Sequence, residues 1–413
     1  MDNRVIILLM AEALLASYLI FKTVRPVNHI TILCIALLSA LAFFARYLVL
    51  DYVTDDYRNF LSRWVDFFRQ NGGFMALDQS VGNYNIPYLY FLAAFSYSEI
   101  YDLYLIKLLS IFFDILLAWG SALILTRFTQ NKPKIIICFY IILFLPTVFL
   151  NGSLWGQCDS TYVALAILGI YCALDDRPVL SMVLAALSFG FKLQAVFILP
   201  VYAVLWMKGK FRLWHFSLFP VAYILLVLPA VIAGRPFLET ITLYFNQTGS
   251  IGDGLNYNSP SVYAMFQYSL PTQYNTLASN LGIIAAAIYT LAILTICYVN
   301  CGRLTEKSIL AAALLFAIGI PFFLPHMHDR YFFAADILSV IASFTGVMFS
   351  ALPLLVQFAS LLGYHAYLKM QYLLLMDRGS WALIGALILT VWYFAFSMNV
   401  KSRDVAPKNR KKE

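Results

Sequence analysis

The chain has 413 residues, of which 62% are hydrophobic and 12% charged, with a formal net charge of +7. Soluble domains carry about 45–50% apolar and about 25% charged residues, so a water-soluble fold is excluded. The basic residues are scattered through short segments and a tail at 401–412, which is a topology pattern and gives no sign of nucleic acid as a partner. The fold class is an all-α integral membrane protein, a multi-span helical bundle treated as a single unit over 1–413.

A spanning helix needs about 20 mostly apolar residues, and such runs recur from Val5 to Val400. The first lacks a clear small-residue cleavage site and leads at once into another span, so it reads as a retained helix rather than a signal peptide. About thirteen transmembrane helices are predicted, at roughly 5–21, 30–49, 104–126, 135–150, 160–174, 179–190, 193–207, 213–233, 278–299, 308–324, 331–349, 350–367 and 381–399. Several fall short of about 17 residues and must be broken, tilted or buried within protein.

Lysine and arginine set the orientation. With the C-terminus cytoplasmic, the segments 22–29, 127–134, 175–178, 208–212, 301–307 and the tail 400–413 hold 17 of the 28 basic residues. Every other polar cluster then faces the non-cytoplasmic side. The first large outside loop, 51–97, contains an amphipathic stretch in which Phe60, Leu61, Trp64, Phe67 and Phe68 recur at helical spacing between Arg58, Arg63 and Asp66. This predicts an interfacial helix, ended by Gly72-Gly73 and followed by a second short helix from Pro87. A second long outside loop covers 234–277. Asn151 and Asn246 head formal glycosylation sequons. The six cysteines show no paired framework, so neither disulfides nor a zinc site is expected.

Five polar segments carry side chains suited to chemistry. In Thr54-Asp55-Asp56-Tyr57, a carboxylate could take a proton from a sugar hydroxyl, or could cap the helix that follows. In Asn151–Asp159, Trp155 could stack on a sugar ring while Gln157 and Asp159 bind hydroxyls, the alternative being a tight turn with an interfacial tryptophan. Lys192, in Phe191-Lys192-Leu193-Gln194, is either a snorkelling anchor or a fixed cation for a phosphate. Leu324–Tyr331 concentrates His326, His328, Asp329 and Arg330. Two histidines and one acid fall short of a dedicated metal site, whereas arginine offers phosphate a bidentate fork. Asn256–Tyr263, with Asn258, mixes amides and aromatics as carbohydrate sites do.

In chain order these motifs resemble the GT-C class of polytopic glycosyltransferases, and look closest to the bacterial relatives of GPI mannosyltransferases. The matching residues are Asp56-Tyr57-Arg58-Asn59-Phe60 with Trp64, Asn83–Tyr90, Trp155–Asp159, Phe191–Gln194 and Leu324–Tyr331. Asp329 stands where that pattern has Glu, His326 falls at a variable position, and Cys158 lies inside the Trp-Gly-Gln motif. Asp for Glu keeps the charge and shortens the reach.

The resemblance implies a GT-C-like bundle, in a bacterial plasma membrane, that uses an undecaprenyl-phosphate-type sugar donor. It implies transfer with inversion to a hydroxyl of a glycan or lipid-linked cell-envelope acceptor, with no metal cofactor. Asp56, with Asp55 the alternative, would be the base. Arg330, His328, Lys192 and His326 would hold the donor phosphate. Trp155, Gln157, Asp159, Gln194, Asp329, Tyr88 and Asn258 would line the sugar or acceptor site, and the helix around Trp64 would admit the polyprenyl chain from membrane lipids. The rival reading is a lipid-linked sugar flippase or secondary transporter. Such proteins bind substrate near the midplane, often between inverted repeats. Here no repeat is found, and the ionisable residues gather at one interface.

Overall fold

A computed structural model describes residues 2–244, 254–266 and 271–399. The sequon at Asn246 and the basic tail 400–413 lie outside the described residues. The chain is helical, with one two-stranded ladder among the described residues.

In chain order the helices are α1 (Asn3–Val24), α2 (His29–Tyr47), α3 (Ser62–Gln70), α4 (Ile86–Phe95) and α5 (Asp102–Thr126). Next come α6 (Lys132–Phe144), α7 (Asp159–Leu174), α8 (Pro178–Phe191), α9 (Val201–Met207) and α10 (Leu218–Ile232). The last are α11 (Asn275–Val299), α12 (Glu306–Phe323), α13 (Phe333–Ser343), α14 (Ala351–Leu368) and α15 (Asp377–Asn399). Side chains that accept from the first turn mark several starts: Asp2 for α1, Asn28 for α2, Asn131 for α6 and Thr305 for α12.

Among the described residues, eight helices are long and apolar enough to cross a membrane, or nine if the bent pair Lys132–Phe144 and Pro146–Trp155 is one span. The expectation of thirteen is therefore not met as simple spans. The 135–150 run bends by 42° at Pro146. α7, α8 and α13, with 16, 14 and 11 residues, are too short to cross alone at 1.5 Å per residue. The 193–207 run breaks into a 3₁₀ turn over Leu193–Phe197 and the short α9. Of these pieces, α7 and α13 are almost wholly buried. Every described position of α13 from Phe333 to Ala342 is buried.

α5 and α12 are the most enclosed of the spanning helices, while α1, α2, α10 and α11 leave most of their apolar surface open, as a lipid-facing layer does. α5 packs on α1, α6 and α7, α7 on α8, and α15 on α12 and α14. One end of the bundle is tied by Arg127, which bonds Glu306 at 2.6 Å and pairs with Asp175. The other end carries the segment 51–97 and the candidate site. There α3 follows a π-helical turn, Tyr57–Leu61, and buries Val65 and Phe68. Trp64 meets Tyr84 edge-on at 5.5 Å. Gly82, at φ 63°, leaves room for that indole, since a Cβ there would sit 2.4 Å from it.

Candidate active site

The Trp-Gly-Gln turn begins where α6 stops. Pro146 cannot donate to the α6 ladder, so the helix bends and continues as a π-helical turn over Phe149–Trp155. Gly156, in the left-handed region at φ 82°, ends that turn. Gln157 N donates to Asn151 O at 2.9 Å, and α7 starts at Asp159. The turn is buried and braced from α5. Ser110 Oγ donates to Gln157 O at 2.7 Å. A Cβ on Gly152 would lie 3.2 Å from Asp114 Oδ2, whose carboxylate pairs with Arg46 at 3.1 Å.

The acidic segment is fixed by another α5 side chain. Lys107 Nζ donates to the carbonyls of Val49, Leu50 and Tyr52, at 3.1, 2.9 and 2.7 Å. A cation at a helix C-terminus satisfies carbonyls that have no intrahelical partner. Thr54 then caps the next helical turn, its hydroxyl accepting from Tyr57 N at 3.4 Å. Asp56 makes no such cap, so its carboxylate is free to act elsewhere. Trp155 Nε1 donates to Asp56 Oδ2 at 2.8 Å and Gln157 Nε2 donates to the same oxygen at 2.7 Å. Tyr84 in turn donates to Gln157 Oε1 at 3.0 Å. Asp55 is exposed.

Beneath this carboxylate lies a compact ion network. Lys192 sits in extended backbone (φ −153°) between α8 and the Leu193–Phe197 turn, and its Nζ donates to Asp159 Oδ1 at 2.5 Å. Asp159 Oδ2 accepts from Asn151 at 2.8 Å and faces Arg330 Nε at 3.5 Å. Arg330 Nη1 donates to Asp329 at 3.2 Å, and its Cζ lies 5.1 Å from the Trp155 ring centroid. Buried ion pairs of this kind hold only when each charge is met.

The histidine segment is stitched to the second long loop. Asn256–Tyr257 runs parallel to Met327–His328 as β1 and β2, pairing Tyr257 with His328. The Tyr257 ring stacks on His328 at 4.8 Å. Burial, with Arg330 and Lys192 beside it, pushes the His328 imidazole down to about 4, so the ring is neutral at pH 7. Burial also pushes the Asp329 carboxyl up to about 6, against the pull of Arg330.

The sequence pattern of glycosyltransferase family 87 matches residues 83–325, more than half of the chain. The chain belongs to glycosyltransferase family 87. A comparison with curated proteins gave no match. Membership makes the chain a glycosyltransferase of the polytopic GT-C type, and with its apolar helices a multi-pass membrane protein. The family 87 segment includes Trp155, Gln157, Asp159 and Lys192, and ends just before His326. Asp56 and Arg330 fall outside it, yet both contact Trp155.

Against this family 87 framework, the predicted residues divide. Asp56, Trp155, Gln157, Asp159, Lys192, Asp329, Arg330 and His328 come together. Trp155 is wholly buried, and one face of its ring is stacked by Tyr367 at 3.9 Å. It therefore offers no open surface to a sugar, and its visible work is to hold Asp56. Asp159 is likewise buried and engaged as a counterion. Tyr88 lies behind Tyr84, 4.7 Å between ring centroids, and is 1% exposed, so it supports rather than lines. Both ring nitrogens of His326 are taken, Nδ1 by Gly254 O at 2.7 Å and Nε2 by Ser279 at 3.3 Å. Asn258, at φ 56°, bridges to His328 and accepts from Tyr372 at 2.7 Å. Gln194 is half-buried, and its Oε1 has no hydrogen-bond partner among the described residues. Trp64 packs on Tyr84.

Sequence reading missed Tyr364 and Tyr367 on α14, Asn151, and the brace of Arg46, Asp114 and Lys107. Ionisable residues inside apolar runs are themselves a signal of function or of tight pairing, and that signal was present for Arg46, Lys107 and Asp114. Nothing in an apolar span flags two tyrosines three residues apart as neighbours of residues more than two hundred positions away.

Proposed function

We propose that this family 87 chain is an inverting glycosyltransferase that takes a monosaccharide from a polyprenyl-phosphate donor and passes it to a hydroxyl of a glycan or cell-envelope acceptor on the non-cytoplasmic side. The observation that carries the reading is that one buried indole, Trp155, touches both Asp56 and Arg330. Asp56 is the base. A carboxylate has about four lone-pair positions, so donors from Trp155 and Gln157 leave room for the acceptor hydroxyl.

The acceptor oxygen attacks the anomeric carbon as the bond from that carbon to the donor phosphate breaks. Asp56 takes the hydroxyl proton, and the electron pair leaves on the polyprenyl phosphate. Arg330 meets that charge with fixed donors, and neutral His328 adds an N–H. Lys192, whose ammonium is committed to Asp159, holds the network that aims Arg330. Side chains meet the leaving charge in this reading, and no metal ion is invoked. The sidedness rests on the bias of basic residues among the loops. A flippase would need no oriented base beside its cation.

The test offers a radiolabelled polyprenyl-phosphate sugar and a nucleotide sugar separately to the protein in nanodiscs, with membrane extract as acceptor source. The reading expects label in product from the lipid-linked donor alone, with the opposite anomeric configuration. Transfer from the nucleotide sugar, or retention, contradicts it. Sugar movement across sealed vesicles without a new glycosidic bond would favour the flippase.

A further inference from the structure

Tyr367 stands on the last turn of α14, outside the segment that matches family 87. Its ring lies 3.9 Å from that of Trp155 with 11° between the planes. Its phenolic oxygen accepts from Asp56 N at 3.2 Å. That amide belongs to the first turn of a helix, where N–H groups have no intrahelical acceptor, so the phenol supplies the missing partner. One turn earlier, Tyr364 meets Trp155 edge-on at 5.6 Å and accepts from Asn151 Nδ2 at 3.0 Å. Two tyrosines of one helix thus grip both the acidic segment and the Trp-Gly-Gln turn.

We infer that Tyr367 is a positioning residue for Asp56, setting the direction of its carboxylate through the stack on Trp155 and the bond to the Asp56 amide. The inference rests on the reading of Asp56 as base. It places α14 in the reaction, although the sequence of that helix carries no motif. The charged or titratable groups that act on this pair are His328, Asp329 and Arg330. A Tyr367→Phe change leaves all three in place and keeps the aromatic stack, so it removes the hydroxyl alone.

The experiment measures transfer from a polyprenyl-phosphate sugar, for the full chain in nanodiscs with membrane extract as acceptor source. It compares wild type, Tyr367→Phe, Tyr367→Leu and Asp56→Asn, with melting temperatures recorded for each. Tyr367→Phe deletes the oxygen that accepts from the Asp56 amide and leaves the ring stacked on Trp155. Tyr367→Phe should therefore keep the wild-type melting temperature and donor KM, and lose about tenfold in kcat. Tyr367→Leu should lose more. A wild-type kcat in Tyr367→Phe, with Asp56→Asn inactive, overturns the positioning role alone. Transfer by Asp56→Asn at the wild-type rate overturns the base itself, and this role with it.

Discussion

Trp155 Nε1 lies 2.8 Å from Asp56 Oδ2, and this bond joins two segments separated by nearly a hundred residues of chain. It turns a tryptophan that sequence would give to a sugar ring into a fixed donor for a carboxylate. Around it, Gln157 and Tyr367 complete the setting of Asp56. Orientation is the decisive property of Asp56 in the proposed role, because a base acts only when it is held within reach of the proton it removes.

Trp155→Phe keeps an aromatic ring against Tyr367 and deletes the indole N–H. A hydrogen bond to a charged group contributes about 1.5–3 kcal/mol, so kcat should fall by about 10- to 100-fold. Steady-state transfer kinetics check this, and an unchanged donor KM would show that the loss is one of orientation.

Asp159 is buried between Lys192 and Arg330. Asp159→Asn leaves two cations short of a counterion, and breaking a buried pair costs about 3–5 kcal/mol. Its melting temperature in detergent should fall clearly. The double change Asp159→Asn with Lys192→Met should recover part of that loss, since the unpaired ammonium is gone, without restoring transfer.

On the proposed reading, Asp329, held near 6 by burial, competes with the donor phosphate for Arg330. As pH falls from 7.5 to 5 it takes up a proton and releases the Arg330 Nη1 that it accepts from at 3.2 Å. Donor KM should therefore drop toward pH 5 in the wild type. In Asp329→Asn it should be low and flat over the same window. Donor titration by competition binding gives the measurement.

Gly363 marks a close approach of backbones. A Cβ there would sit 2.7 Å from Asp329 O and 2.8 Å from Asn258 O. Carbonyls cannot rotate aside as flexible side chains can, so Gly363→Ala should push α14 away from both loops. Transfer should drop by at least about tenfold, with a lowered melting temperature as the companion readout.

Much of this was legible in sequence. Asp56, the Trp155–Asp159 turn, Lys192 and the segment through Arg330 were each named from their chemistry, and all meet at one end of the bundle. Their roles were less legible. Trp155 and Asp159 look like ligand groups in a string of letters and are internal partners in the fold, because burial is a property of packing and not of residue type. The count of about thirteen spans is not confirmed, for a related reason. Apolar runs such as 160–174 and 331–349 are as greasy as spanning helices, yet helices of 16 and 11 residues are too short to cross alone and lie enclosed. Tyr367 was invisible because its partner lies more than three hundred positions away.

The most direct measurement is sugar transfer from a radiolabelled polyprenyl-phosphate donor by wild type, Asp56→Asn and Asp55→Asn in nanodiscs. The account predicts product from wild type and from Asp55→Asn, and none from Asp56→Asn, with donor still bound by all three. Product from Asp56→Asn at the wild-type rate would contradict it.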